Sequence, residues 1–215
     1  TFDLSAKAGN QTINVSSLLS IENLLANAAT LNTLVARNAA NTFTIDGANS
    51  GQIATVGFID PIGFSGFQKL RGGTATDDFL FQDGGSISGS VNGGSGTDIL
   101  SFASASASQA FALTATGSLD GFNGNVAQTG SGTPTVGSFT NINTLVGSTD
   151  VEDSVQGLTA TATWTSSSSG DGSVNYLATR TINLSNFEVL LGGGLADMFT
   201  ISGTTDIQTI DGGAG

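Results

Sequence analysis

Three glycine-led loops place an aspartate at one fixed distance. "GGTATDDFL" (72–80), "GGSGTDILS" (93–101) and "GGGLADMFT" (192–200) each carry a glycine pair, an aspartate in sixth position and an apolar residue in eighth. The candidate ligating set is Gly72, Gly93, Gly94, Gly96 and Gly192 with Asp77, Asp98 and Asp197. Carboxylates beside open loop carbonyls are hard-oxygen chemistry, which suits Ca2+, a cation that takes six to eight oxygens. One aspartate supplies at most two, so two loops one period apart would share an ion. Gly72–Asp77 could pair with Gly93–Asp98, and Gly192–Asp197 with the loop that begins at Gly212. The plainer alternative is a glycine corner in which each aspartate accepts backbone N–H bonds in an Asx turn. The third glycine is present only as Gly96; Ala75 and Leu195 replace it in the other copies. That weighs against metal at those two, because glycine reaches positive φ at no steric cost.

Other chemistries are narrowed by composition. The chain has no His and no Cys, which excludes His-dependent triads, HExxH metalloproteases, disulfides and Cys-based zinc sites. Seventeen acids against five bases leave a net charge of −12, the wrong sign for nucleic acid or an anionic membrane, and no segment reads as membrane-inserting. Asp150, Glu152 and Asp153 form an acidic cluster that could serve glycoside hydrolysis. Yet Arg180 is the only base after Arg71, and a solvated turn or weak cation site is the simpler expectation, so no enzyme is expected. Trp164 and Tyr176 stand on the two arms of an expected hairpin, where they could stack on a sugar or cap an apolar edge.

The elements that must position these loops are short. Gly numbers 31 and Pro 2 in 215 residues, and 13 of the aromatics are Phe. "NTLV" occurs at 32–35 and 143–146. Around it runs a looser unit with Ile21/Leu24, Leu31/Leu34, Phe67/Leu70, Ile142/Leu145 and Phe187/Leu190. A Phe follows nine residues after Leu34, Leu70 and Leu190, and the residue two before it is Asn41, Asp77 or Asp197; after Leu145 the pattern slips by one to Asp153 and Val155. "DFLFQ", "ISGSVN" and "ILSF" read as strands between "DGGS" and "GGSGTD" turns. A glycine-pair period near 20 residues is too short for βαβ units and fits a repeat of strands.

The fold expected is therefore all-β, a right-handed parallel β-solenoid spanning 1–215 as one segment of a longer chain or filament. Insertions fall near 103–137 and 159–184, the latter a hairpin tipped by "SSSSGDGS". Leu18, Ile21, Leu25 and Ala28, with Ser17 as N-cap, point to a short helix over 17–28, with β-coil from about residue 30 onward. Allowing for the insertions, the coil would make a rod of about 30–45 Å.

"GGSGTDILS" resembles the GGxGxDxUx nonapeptide of RTX repeats, and the wider "FxxL…GG…DxF…DGG" unit is similar to degenerate repeats of large exported bacterial adhesins and surface proteins. The resemblance implies Ca2+ between stacked glycine loops, with the aspartate and loop carbonyls as ligands and the eighth residue pointing into the core. It also implies an extracellular or cell-surface location. The expected function is a structural segment of an adhesin, fibre or surface layer whose partner is itself, stacked head to tail or continued by further repeats. The alternative is a carbohydrate-binding or carbohydrate-processing module that takes surface glycans.

Overall fold

The computed structural model describes residues 1–15, 21–132, 134–149, 152–166, 171–176, 179–202 and 206–215. Among them the regular structure is nearly all β-strand, joined by turns and loops. It opens by alternating between two sheets: β1 (Phe2–Leu4) and β3 (Asn23–Ala26) join the first, β2 (Thr12–Asn14) and β4 (Thr33–Val35) the second. β5 (Asn41–Gly47), β6 (Ser50–Thr55) and β7 (Ile62–Ser65) then stay in the first sheet as an antiparallel meander. Alternation resumes with β8 (Lys69–Arg71), β9 (Asp77–Gln82), β10 (Ile87–Asn92) and β11 (Ile99–Ser104). A second meander, β12 (Gln109–Thr116), β13 (Phe122–Gln128) and β14 (Pro134–Ile142), lies in the second sheet. After β15 (Thr144–Val146) and β16 (Ser154–Gln156), a third meander returns to the first sheet with β17 (Ala162–Ser166), β18 (Gly172–Tyr176) and β19 (Arg180–Ser185). The chain closes with β20 (Val189–Leu191), β21 (Asp197–Ile201) and β22 (Thr209–Asp211).

The first sheet runs β1-β3-β7-β6-β5-β9-β11-β15-β19-β18-β17-β21 and the second β2-β4-β8-β10-β14-β13-β12-β16-β20-β22. Each meander leaps forward and walks back. β5 lands beside the future β9, and β7 returns beside β3; both outer pairings are parallel. Three antiparallel strands restore the original chain direction, so each meander fits inside a sheet that is parallel on both its flanks. The inserted strands are therefore rungs of the sheets. Twelve strands at about 4.8 Å give a stack of about 53 Å, longer than the rod expected when insertions are subtracted.

Register repeats at the spacing read from the glycine pairs. Ile13 pairs with Leu34, Leu70 with Val91, Phe79 with Leu100 and Leu190 with Ile210, separations of 20 or 21 residues. In-register pairing sets like side chains on neighbouring rungs. Phe43 stacks on Phe79 with centroids 4.7 Å apart, and Phe81 on Phe102 at 4.7 Å. These rings are fully buried with Leu34, Leu70, Val91, Leu100 and Leu145 between the sheets. Strands alternate inward and outward residues, as the BiBiBe burial of β9 shows.

Two sequence expectations need correction. The helix drawn over 17–28 is replaced over 23–26 by β3, whose burial alternates with period two; residues 17–20 lie outside the described residues. Leu24 is buried between Phe2 and Phe64 while Leu25 points out, and this cross-strand pairing outweighs the helix propensity of Leu and Ala. The two "NTLV" segments also sit in different sheets, β4 in the second and β15 in the first. The unit that begins at each therefore lands in a different sheet, which accounts for the slip after Leu145. The segments 103–137 and 159–184 hold most of the second and third meanders. The first, 41–65, went unseen because "NTFTI" matches an ordinary repeat; its turn is marked by Asn49 at φ 55°.

Candidate cation-binding corner

Ten inward-facing apolar residues stand two positions after a buried or half-buried polar side chain. In the first sheet these are Asn41, Asp77, Asp98, Asn143 and Asp197 ahead of Phe43, Phe79, Leu100, Leu145 and Phe199. In the second they are Asn32, Gln68, Gln109, Asp153 and Glu188 ahead of Leu34, Leu70, Phe111, Val155 and Leu190. The side chain accepts the backbone N–H of its counterpart one rung away. Asp77 N donates to Asp98 Oδ1 at 2.9 Å and Asp98 N to Asn143 Oδ1 at 2.9 Å. On the opposite corner Asn32 N donates to Gln68 Oε1 at 2.9 Å, Gln109 N to Asp153 Oδ1, and Asp153 N to Glu188 Oε2 at 3.0 Å. The chain bends where it passes from one sheet to the other, and at the bend an amide lacks a sheet partner. The corner side chain supplies the missing acceptor.

The glycines make room for it. A Cβ on Gly147 would stand 2.9 Å from Asp153 Oδ2 and one on Gly192 2.5 Å from Asp197 Oδ2; on Gly72 and Gly93 it would come closer still to Asp77 and Asp98. In three copies the following residue closes the loop. Gly73 N donates to Asp77 Oδ2 at 2.6 Å, Ser148 N to Asp153 Oδ2 at 2.6 Å, and Gly193 N to Asp197 Oδ2 at 2.7 Å. These are Asx-type corners. Asp197 Oδ1 also accepts Ala162 N at 3.1 Å, and Asp77 Oδ1 accepts the Asn41 amide.

The complete nonapeptide differs. Gly94 sits at φ 103° and Gly96 at φ 130°, and Gly94 N turns away to Asn92 Oδ1 at 3.0 Å. Asp98 is fully buried, and its Oδ2 has no hydrogen-bond partner. Residues 71 and 191, at the place of Asn92, are Arg and Leu, which offer no acceptor there. Burial pushes the Asp98 carboxyl up to about 7, helped by the charges of Asp77, Asp120 and Asp78 and opposed by the Asp77 N–H. Burial also raises Asp77, against its bonds from Asn41 and Gly73, and raises Glu188 beside Asp153.

The structure brings together Gly72, Asp77, Gly93, Gly94, Gly96 and Asp98 on one corner: Gly72 N donates to Asn92 O at 2.8 Å and Ser95 N to Gly73 O at 3.2 Å. Gly192 and Asp197 stand on a separate corner, stacked on the 212–215 loop through Ala214 N to Gly193 O at 3.2 Å. In the acidic cluster, Glu152 is exposed, Asp153 turns inward, and Asp150 lies outside the described residues. Sequence reading missed Asn32, Gln68, Asn143, Glu188, Asp78 and Asp120; for the first four the polar residue two before an inward apolar position was the signal, and for the last two there was none. Among the described residues no three acidic side chains gather into one metal-holding group, so a cation here needs backbone carbonyls too. The orphaned Asp98 Oδ2 fits such a cation, whereas Asp77 and Asp197 spend both oxygens on protein donors.

These shifts give a pH dependence. Without bound cation, Asp98, Asp77 and Glu188 hold protons in the folded chain at pH values where the unfolded chain, near 3.9 for Asp, has lost them. Their contribution is therefore greatest in mild acid and is lost as pH rises from about 4 through about 7. Asp3 and Asp83 shift the other way through Ser5 and Ser106, but both are exposed, where such bonds add little. In EDTA the melting temperature should be higher at pH 5 than at pH 8; a rise across that interval would contradict the corner assignment.

Comparison with family models, with curated proteins and with solved structures finds no match to this chain.

Proposed function

We propose that the chain is a right-handed β-solenoid serving as a structural segment of an extracellular bacterial adhesin, fibre or surface layer, braced by Ca2+ at the 93–98 corner. The observation that carries this is the repeated corner bond. On both corners a side-chain oxygen of one rung accepts the backbone N–H of the rung before it, a device for stacking rungs rather than enclosing a site. The RTX-like loop supports the cation and the surface location. β21 and β22 each have a strand neighbour on one side only, and the last rung exposes Leu195, Met198 and Ile210 at 51%, 59% and 43%. Such an edge pairs with another strand, from a second copy or from following repeats. Negative-stain microscopy should show rods joined end to end, each about 53 Å long from the sheet spacing. A monodisperse monomer at high concentration would overturn self-stacking.

One observation keeps a glycan reading alive as the second. The outward side of β17–β19 carries Thr163, Thr165, Ser173, Asn175 and Thr181, an uncharged hydroxyl and amide surface, with Thr165 and Ser173 hydroxyls 2.9 Å apart. Trp164 and Tyr176 do not serve it. They are buried against Phe199 and Phe122, and the Tyr176 hydroxyl accepts Leu158 N at 2.9 Å. Binding of neutral glycans by isolated monomers, lost in Thr165→Val, would favour this second reading.

A further inference from the structure

We propose that Asp120, in the turn between β12 and β13, is the second carboxylate of the cation site at the 93–98 corner, taking the place that a following glycine loop would hold. This rests on the calcium reading above. Asp120 lies 22 residues beyond Asp98, outside every loop motif in the sequence. Its Oδ2 accepts Gly96 N at 3.0 Å, which lays the carboxylate across the third glycine of the loop. Its other oxygen, Oδ1, is buried with no hydrogen-bond partner, as is Asp98 Oδ2. Two carboxylates thus reach one six-residue loop and each leaves one oxygen unspent.

The turn is clamped in place by amides. Gly117 N donates to Gly121 O at 2.9 Å, Leu119 N to Asn141 Oδ1 at 3.1 Å, and Asn141 Nδ2 to Asn92 Oδ1 at 3.0 Å. Asn92 Oδ1 is the same atom that draws Gly94 N away from Asp98. One relay therefore docks the Asp120 turn and opens the Asp98 corner. The second meander, which brings Asn141 and Asp120 to this rung, is part of the site. Ca2+ suits it by the charge of two carboxylates and by tolerance of irregular oxygen sets that include loop carbonyls.

Isothermal titration of the whole chain with CaCl2 tests this, with melting in EDTA as the check on folding. Asp120→Asn keeps an oxygen for Gly96 N, so its EDTA melt should match or exceed wild type, while its Ca2+ affinity should fall at least about tenfold with the loss of one ligand charge. Asn92→Leu, which lets Gly94 N return to Asp98, should weaken Ca2+ comparably without touching either carboxylate. Undiminished affinity in Asp120→Asn, with affinity lost in Asp98→Asn, would overturn the role of Asp120 and leave the calcium reading standing. Absence of heat with wild-type chain at millimolar Ca2+ would overturn the calcium reading itself.

Discussion

Asp77→Ala is expected to cost the folded chain about 1–3 kcal/mol, as a partly buried donor loses its acceptor and a second loses one of several. The first is Gly73 N, 2.6 Å from Oδ2; the second is the Asn41 amide, which keeps Arg37 O at 3.0 Å and Ala39 O at 2.6 Å. Water cannot replace the carboxylate freely, since Asp77 is fully buried. Asp46→Ala, at an exposed position, should change stability by less than about 0.5 kcal/mol. Urea denaturation of the two variants measures the difference. Equal midpoints would mean that corner carboxylates do not hold the stack.

Phe79→Ala should cost about 3–5 kcal/mol, the range for emptying a buried aromatic site. Phe79 is fully buried, stacks on Phe43 at 9° between ring planes, and is register partner to both Phe43 and Leu100. The rungs above and below are tied by backbone bonds on both sides, so the cavity cannot collapse by moving one strand. Phe79→Leu keeps most of the volume and should lose about 1–1.5 kcal/mol. A loss near 1 kcal/mol for the alanine variant would show that the ring ladder is not a principal source of stability.

The repeat period and the inward Phe and Leu positions were legible because both follow directly from parallel register. Leu34, Leu70 and Leu190 do lie in one sheet, and Phe43 does face Phe79. The phase was not legible, because strands of both sheets use one grammar of polar residue, spacer and apolar residue. Asn143-x-Leu145 in one sheet and Asn32-x-Leu34 in the other look alike. The meanders were hidden for a related reason: β5 carries the same alternation as a plain rung, and only β6 and β7 reveal the reversal. At the corner, the motif marked Asp98 but could not show that Asn92 turns Gly94 N aside. Nor could it show Asp120, which reaches the loop through tertiary placement of a turn.

The central claim is that one corner of the stack is built for a cation while its copies are closed by protein donors. Thermal denaturation of the whole chain at pH 8, in EDTA and in millimolar Ca2+, tests it most directly. A cation that binds only the folded form adds about 2.7 kcal/mol at a hundredfold excess over its Kd, which for a chain of this size raises the melting temperature by about 5–10 °C. The account predicts such a rise in wild type, its retention in Asp197→Asn and its loss in Asp98→Asn. Superimposable wild-type melting curves with and without Ca2+ would contradict it and leave residues 93–98 a glycine corner like the others.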